Sequence, residues 1–222
     1  MRVSKCAWTV ALALAFVSWI AWPCPAQAGW TMTSPLATRG DTEDYLVIHD
    51  MVLVNESEGI TVTCGLVHYY DEENVFKFLS RVRVVQDGTE IEADSGSFDL
   101  STNRGQFSGA VSMIRPATDD DPYDIYLTCE ELDLDAESGS FIARGQPVLR
   151  QVDQQGDEGV ASADRVEYNG VEDFVSLTGN AVMDSANRRI SADSIRFSLS
   201  GDFIELKNFT MQIALDQEEP AE

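Results

Sequence analysis

The residues of this chain that could do covalent chemistry are few, and their spacing argues against it. Cys64 and His68 stand four apart, so on a strand both could face one way, as a thiol nucleophile and its base do. Such a pair needs a third group to orient the base and an oxyanion site, and the sequence supplies neither; the two read as a small buried thiol and an ordinary histidine. His49 and His68 are the only histidines and no Cys-x-x-Cys occurs, too few ligands for zinc. Asp119, Asp120 and Asp121 lack the spaced ligands and the glycine of a calcium loop and read as a solvated loop. Asp94, Asp164 and Asp193 each follow an alanine, a recurrence that fits a corner residue capping backbone N–H groups better than a metal or catalytic site. No phosphate loop or dinucleotide fingerprint is present. The expectation is a protein that is not an enzyme, with no catalytic residue, no metal and no cofactor.

Charge constrains the partners. Against 38 Asp and Glu stand 15 Lys and Arg, a net charge of −23, and such a surface repels phosphate backbones, so no nucleic-acid partner is expected. Hydrophobic residues make up 44% of the 222 positions, too many for a solvated acidic chain. Arg2 and Lys5 precede an uncharged run from Cys6 to Trp22, followed by Pro23, Pro25 and the small-x-small triplet of Ala26, Gln27 and Ala28. That is the order of a cleavable export signal over 1–28. A retained anchor helix is the alternative, since the run at about 1.5 Å per residue nearly spans a bilayer core of roughly 30 Å; the prolines and the triplet favour cleavage after Ala28. Trp22 and Pro23 fit poorly before a lipid-modified Cys24. Cleavage removes two cations and no acid, taking −23 to −25, and leaves Cys64 and Cys129 as the mature chain's cysteines.

Past residue 60 the chain reads in short apolar and polar alternations broken by Gly, Asn and Asp, which is strand grammar. It also repeats. Cys64, Ala93, Cys129, Ala163 and Ala192 are small anchors, and sixteen residues after them stand Ser80, Gly109, Gly145, Gly179 and Asn208, all at home in bends. Apolar residues recur three and five past the anchor and again at twelve and fourteen, while those before the anchor lie on even offsets, so the apolar face slips by one residue near the Asp position, as a β-bulge or sharp corner would cause. The anchors lie 29, 36, 34 and 29 residues apart, the variation falling after the bend, where loops can grow. A unit of this kind cannot bury its apolar face alone, but a stack can. The fold class expected is all-β, built from stacked antiparallel strand repeats over 29–215, with a partial leading unit around Asp50 and a solvated acidic tail over 216–222. Cys64 and Cys129 occupy one slot two units apart, near 19 Å at about 4.8 Å per strand, and are expected to be free thiols.

Four stretches then carry a resemblance: Ala143 to Val148 (ARGQPV), Ala163 to Tyr168 (ADRVEY), Leu177 to Val182 (LTGNAV) and Ile190 to Ile195 (ISADSI). Their combination and separations resemble the OstA-like family, best over 129–199 and more loosely back to about residue 60. The resemblance implies an open twisted β-jelly roll whose apolar trough holds lipopolysaccharide through the acyl chains of lipid A. It implies a periplasmic carrier, joined end to end through edge strands, with inner-membrane transporter components, an outer-membrane assembly protein and further copies of itself as partners. The first unit departs from the family pattern, with Thr63, Cys64 and Gly65 in place of the Ala-Asp step and Ser80 in place of Gly, and the last unit has Asn208.

The interior series consists of Phe76, Phe78, Phe98, Phe107, Leu132, Leu134, Phe141, Val166, Tyr168, Val175, Leu177, Ile195 and Phe197. From the residues alone this series is a packed core or a lipid-accepting trough, since inward apolar residues look the same in both; the resemblance favours the trough. Partner edges are expected at Val47 to Val54, through Val47, Val52 and Val54, and at Phe203 to Ile213, through Phe203, Leu206, Phe209 and Ile213. Arg104, Arg144, Arg150, Arg188 and Arg189 are rim candidates for anionic headgroups, with divalent cations as the other bridge. A membrane-anchored relative in the same pathway and a structural β-solenoid protein of the envelope are the competing readings.

Overall fold

A computed structural model describes residues 29–40, 44–118, 122–185, 187–198 and 203–213. The expected export signal over 1–28, the run from Asp119 to Asp121, the expected acidic tail over 216–222 and the side chain of Phe203 lie outside the described residues.

Alternating β-branched and aromatic residues form strands wherever one face can be buried, and here they form eighteen among the described residues. In chain order they are β1 (Trp30–Thr33), β2 (Leu36–Arg39), β3 (Tyr45–Asn55), β4 (Ile60–Tyr70), β5 (Val75–Phe78), β6 (Val82–Gln86), β7 (Thr89–Ala93), β8 (Ser95–Asp99) and β9 (Arg104–Arg115). The second half holds β10 (Asp124–Asp135), β11 (Ser140–Arg144), β12 (Val148–Val152), β13 (Glu158–Ser162), β14 (Arg165–Asn169), β15 (Phe174–Ser185), β16 (Arg188–Ser198), β17 (Phe203–Lys207) and β18 (Thr210–Ile213). All pairings are antiparallel, and together they make one sheet folded along a line of corners into two facing walls.

Six strands, β3, β4, β9, β10, β15 and β16, cross the corner line and belong to both walls. The first wall runs β1, the second half of β3, the first half of β4, β6, β7, the second half of β9, the first half of β10, β12, β13, the second half of β15, the first half of β16, and β18. The second runs β2, the other half of β3 and of β4, β5, β8, the other half of β9 and of β10, β11, β14, the other half of β15 and of β16, and β17. Each repeat of the sequence therefore contributes two strand segments to each wall.

The corners explain the slip in phase. The register shifts by one between Cys129 and Glu131 and between Thr178 and Ala181. Gly109, Gly145 and Gly179 take φ of +76°, +73° and +77°, and the next residues, Ala110, Gln146 and Asn180, are also left-handed. Across the corner the N–H of Asp94 donates to the Gly109 carbonyl (2.9 Å), that of Glu130 to Gly145 (3.2 Å) and that of Asp164 to Gly179 (2.8 Å). The aspartates mark corners, and among the described residues the Asp164 and Asp193 carboxylates accept from the side-chain amides of Asn180 (3.0 Å) and Asn208 (2.7 Å) where bonds from backbone N–H groups were expected.

The leading unit is fuller than expected. Ser34 stands sixteen residues before Asp50, itself left-handed at φ +48°, and β1 and β2 flank Ser34. This corrects the N-terminal edge. Val47 lies between Thr38 of β2 and His68 of β4, Val52 between Thr33 of β1 and Thr63, and Val54 between Thr31 and Thr61, so β3 is an inner strand. Its covering strands are only four residues each and Pro35 separates them, too short to read as strands from periodicity. At the other end β17 and β18 pair only with β16 among the described residues, which leaves Phe203 to Ile213 outermost.

Candidate functional site

Between the walls lies one continuous core. Toward the N-terminal side it is filled by rings: Phe76, Phe78, Phe98 and Phe107 are all at most 2% exposed, and Trp30 of the first wall meets Phe98 of the second edge to face at 5.3 Å. Farther along the stack small side chains, Ala136, Ala143, Ala161 and Ala163, are buried among larger ones, and a space remains between the walls.

The space left is a cavity of about 370 Å³. From the first wall Val84, Ile91, Met113, Ile125 and Leu149 line it; from the second come Leu134, Phe141, Tyr168 and Val175. It reaches the margin opposite the corners, where the wall tips turn, and its rim is polar: Gln86, Asp87, Thr89 and Arg115 on one side, Glu137, Ser138 and Gly139 on the other. Beside it the Asn103 side-chain amide donates to the Glu58 carboxylate at 3.3 Å, a contact between the tip of the first wall and that of the second.

The thirteen predicted interior residues thus divide. Phe76, Phe78, Phe98, Phe107, Leu132, Val166, Leu177, Ile195 and Phe197 are packed core, whereas Leu134, Phe141, Tyr168 and Val175 face the cavity. All thirteen belong to the second wall. The series passed over the first wall's lining residues, although their signal was present: Ile91 stands two before its anchor, Ile125 four before, and Val84, Met113 and Leu149 twenty after.

The polar candidates also find their places. Cys64 and His68 do not face one way, because the corner at Gly65 lies between them: Cys64 points inward and is buried, while His68 stacks on Tyr45 at 4.3 Å. Cys64 and Cys129 are free and buried, and burial pushes the Cys129 thiol up to about 11, which makes it a poor nucleophile at neutral pH. Among the described residues no three His, Cys, Asp or Glu side chains are grouped as metal ligands. Of the rim candidates, Arg104 pairs with Asp135 (3.2 Å), Arg150 with Glu158 (2.7 Å), Arg189 with Asp184 (3.0 Å), and Arg144 with Asp133. Neither these four nor the exposed Arg188 lines the cavity. Among the described residues the cation that does is Arg115, which ends β9 at an offset where the other units carry the uncharged Gln86, Gln151 and Ser185, so no cation recurs there to mark it. Tyr168 donates to Asp173 at 3.0 Å; burial, then Asp173, raises its pKa, and the charge of Arg115 opposes the rise.

At the edges, Leu206 of β17 is half-buried, while Phe209, Met211 and Ile213 are exposed, as are Met32 and Leu36 at the N-terminal end. Among the described residues both ends of the stack therefore present strands paired on one side only, with apolar side chains.

Comparison with known proteins adds to this geometry. Among solved structures the chain is similar to LptH, the LptA-homologous periplasmic component of the lipopolysaccharide transport device of Pseudomonas aeruginosa, at 10% identity and a TM-score of 0.34, over 84% of this chain and 96% of that one. A search of curated proteins gives no match. The family model described as "LptA/(LptD N-terminal domain) LPS transport protein" matches residues 61–203, from β4 to the start of β17 and including every residue that lines the cavity. With more than half of its length matched, the chain belongs to this family of lipopolysaccharide transport proteins, and its fold is the family's open β-jelly roll.

Proposed function

We propose that the protein is a non-enzymatic periplasmic carrier that shields the acyl chains of lipopolysaccharide between its walls and passes the lipid from the inner toward the outer membrane. The observation that carries this reading is the cavity itself: an apolar space of about 370 Å³ that opens to solvent through a polar rim. Each methylene moved from water into such a space contributes about 0.8 kcal/mol, so acyl chains supply affinity without any chemistry on the lipid. Exposed end strands with apolar side chains support β-augmentation with transporter components, assembly protein or further copies of the chain.

Purification of the exported protein at physiological salt with fully acylated or deacylated lipopolysaccharide tests the reading. Retention of the acylated form alone is the expected result, in a chain whose intact mass begins at Gly29. Equal retention of both forms, or of neither, returns the cavity to the status of a packing defect, and a mass beginning at Met1 places the chain on a membrane anchor instead.

A further inference from the structure

Strands that cross the corner line join the two walls on one side, whereas at the opposite margin each described turn connects strands of a single wall. A contact that crosses this margin therefore controls how far the walls part. One such contact is built from two ordered turns. Between β3 and β4 the side-chain oxygen of Asn55, a residue 4% exposed, accepts from the Ser57 hydroxyl (2.7 Å) and from the N–H groups of Ser57 (3.2 Å) and Glu58 (3.3 Å), which fixes the turn that carries Glu58. Between β8 and β9 the Asp99 carboxylate accepts from the N–H groups of Ser101 (2.7 Å) and Thr102 (3.3 Å), and Asn103 follows, left-handed at φ +52°. The Asn103 amide reaches across to the Glu58 carboxylate at 3.3 Å. Both turns are tied to the cavity: the Gln86 amide donates to the Glu58 carbonyl (3.5 Å), the N–H of Ala136 donates to the Asn103 carbonyl (2.9 Å), and Gln86 and Ala136 line the space. One step farther along the stack the rim carries carboxylates on both sides, Asp87 and Glu137, which repel and fasten nothing.

The contact between the turns is only half satisfied. Its remaining oxygens, Glu58 Oε2 and Asn103 Oδ1, are shielded from solvent and have no hydrogen-bond partner among the described residues. A buried acceptor without a donor is penalised, and parting the turns returns both oxygens to water. One bond holds the contact shut while the orphan acceptors favour its opening, so the closed and open states lie close in free energy.

We infer that Glu58 and Asn103 form a latch between the wall tips, which closes the margin on the N-terminal side of the cavity and sets the rate at which an acyl chain enters and leaves. The latch itself is read from the walls alone; its hold on lipid rests on the carrier reading.

The test uses the full exported protein and near-isosteric variants. Glu58→Gln supplies the donor that the contact lacks, Asn103→Asp sets carboxylate against carboxylate, and the two combined exchange amide and carboxylate between the walls. Amide hydrogen exchange at Ala136, measured without lipid, reads the latch; stopped-flow release of a fluorescent fatty acid reads the lipid space. Glu58→Gln is expected to slow both by about two- to tenfold, the span of one net hydrogen bond, Asn103→Asp to speed both by at least as much, and the combination to return both toward wild type. Slow exchange at the core amide of Leu132 shows that the fold is intact. If Asn103→Asp also speeds exchange at Leu132, it has loosened the fold, and Glu58→Gln decides alone. Exchange at Ala136 that is the same in wild type and variants overturns the latch. A changed exchange with unchanged release overturns its hold on lipid and leaves the carrier reading standing. Wild type that binds no fatty acid, while Ala136 responds as expected, supports the latch and counts against the carrier reading instead.

Discussion

At the scale of single residues, the corners are the most constrained positions of the chain. Gly179 combines a left-handed φ of +77° with the Asp164 side chain packed where its Cβ would stand, and Gly109 and Gly145 repeat this with Asp94 and Glu130. An alanine there meets both a backbone penalty and a steric one. Gly179→Ala is expected to lower stability by about 1–3 kcal/mol, read as a shift of the thermal or urea midpoint. Pairing it with Asp164→Ala separates the two causes: relief of contact restores part of the loss, and the left-handed backbone keeps the rest. Full restoration would show that crowding alone demands glycine, and an unaffected midpoint would show that the corner is not under constraint. The neighbouring slots, Ala110, Gln146 and Asn180, and the last unit's glycine slot, Asn208, carry side chains in the left-handed region, and Asn180 and Asn208 find local partners in Asp164 and Asp193.

At the scale of elements, the repeat and the slip in phase were legible in the sequence because both are consequences of strand period, and one displaced residue flips every side chain that follows. The second wall could be read from offsets three, five, twelve and fourteen, where large residues such as Phe76, Phe98 and Phe141 announce themselves. The first wall was half hidden, since its inward positions carry smaller residues, among them Ala161 and Ala181, that alternate without standing out. The N-terminal edge was misread for a related reason: β1 and β2 are four residues long and gain their order from pairing with β3, not from a period of their own. The C-terminal edge carried clearer marks. On β18 every side chain is exposed, with Met211 at 36% and Ile213 at 61%. Met211→Asp with Ile213→Asp is expected to leave a folded monomer and remove end-to-end association, seen as the loss of larger species in light scattering. An unchanged size distribution would exclude β18 as the joining edge.

At the scale of the whole molecule, two regions of one core behave differently, and the difference decides between trough and plain core. On the N-terminal side Phe98 is fully buried among other rings and Trp30, and Phe98→Ala is a deletion from close packing, with a cost of about 3–5 kcal/mol. Leu149 and Val175 are as deeply buried, yet they line the cavity from opposite walls. Enlarging a side chain in a filled core forces strain of about 1–3 kcal/mol, whereas enlarging one beside an empty space gains contacts without displacing neighbours. Leu149→Phe with Val175→Phe is therefore expected to leave the unfolding midpoint unchanged or raised while weakening retention of acylated lipopolysaccharide. Loss of the space for two or three methylenes corresponds to a fall of about tenfold or more. Stability and retention then move independently, which a packed core cannot do. A lowered midpoint with unchanged retention would mean that the space closes in solution and that lipid, if carried, lies elsewhere along the stack.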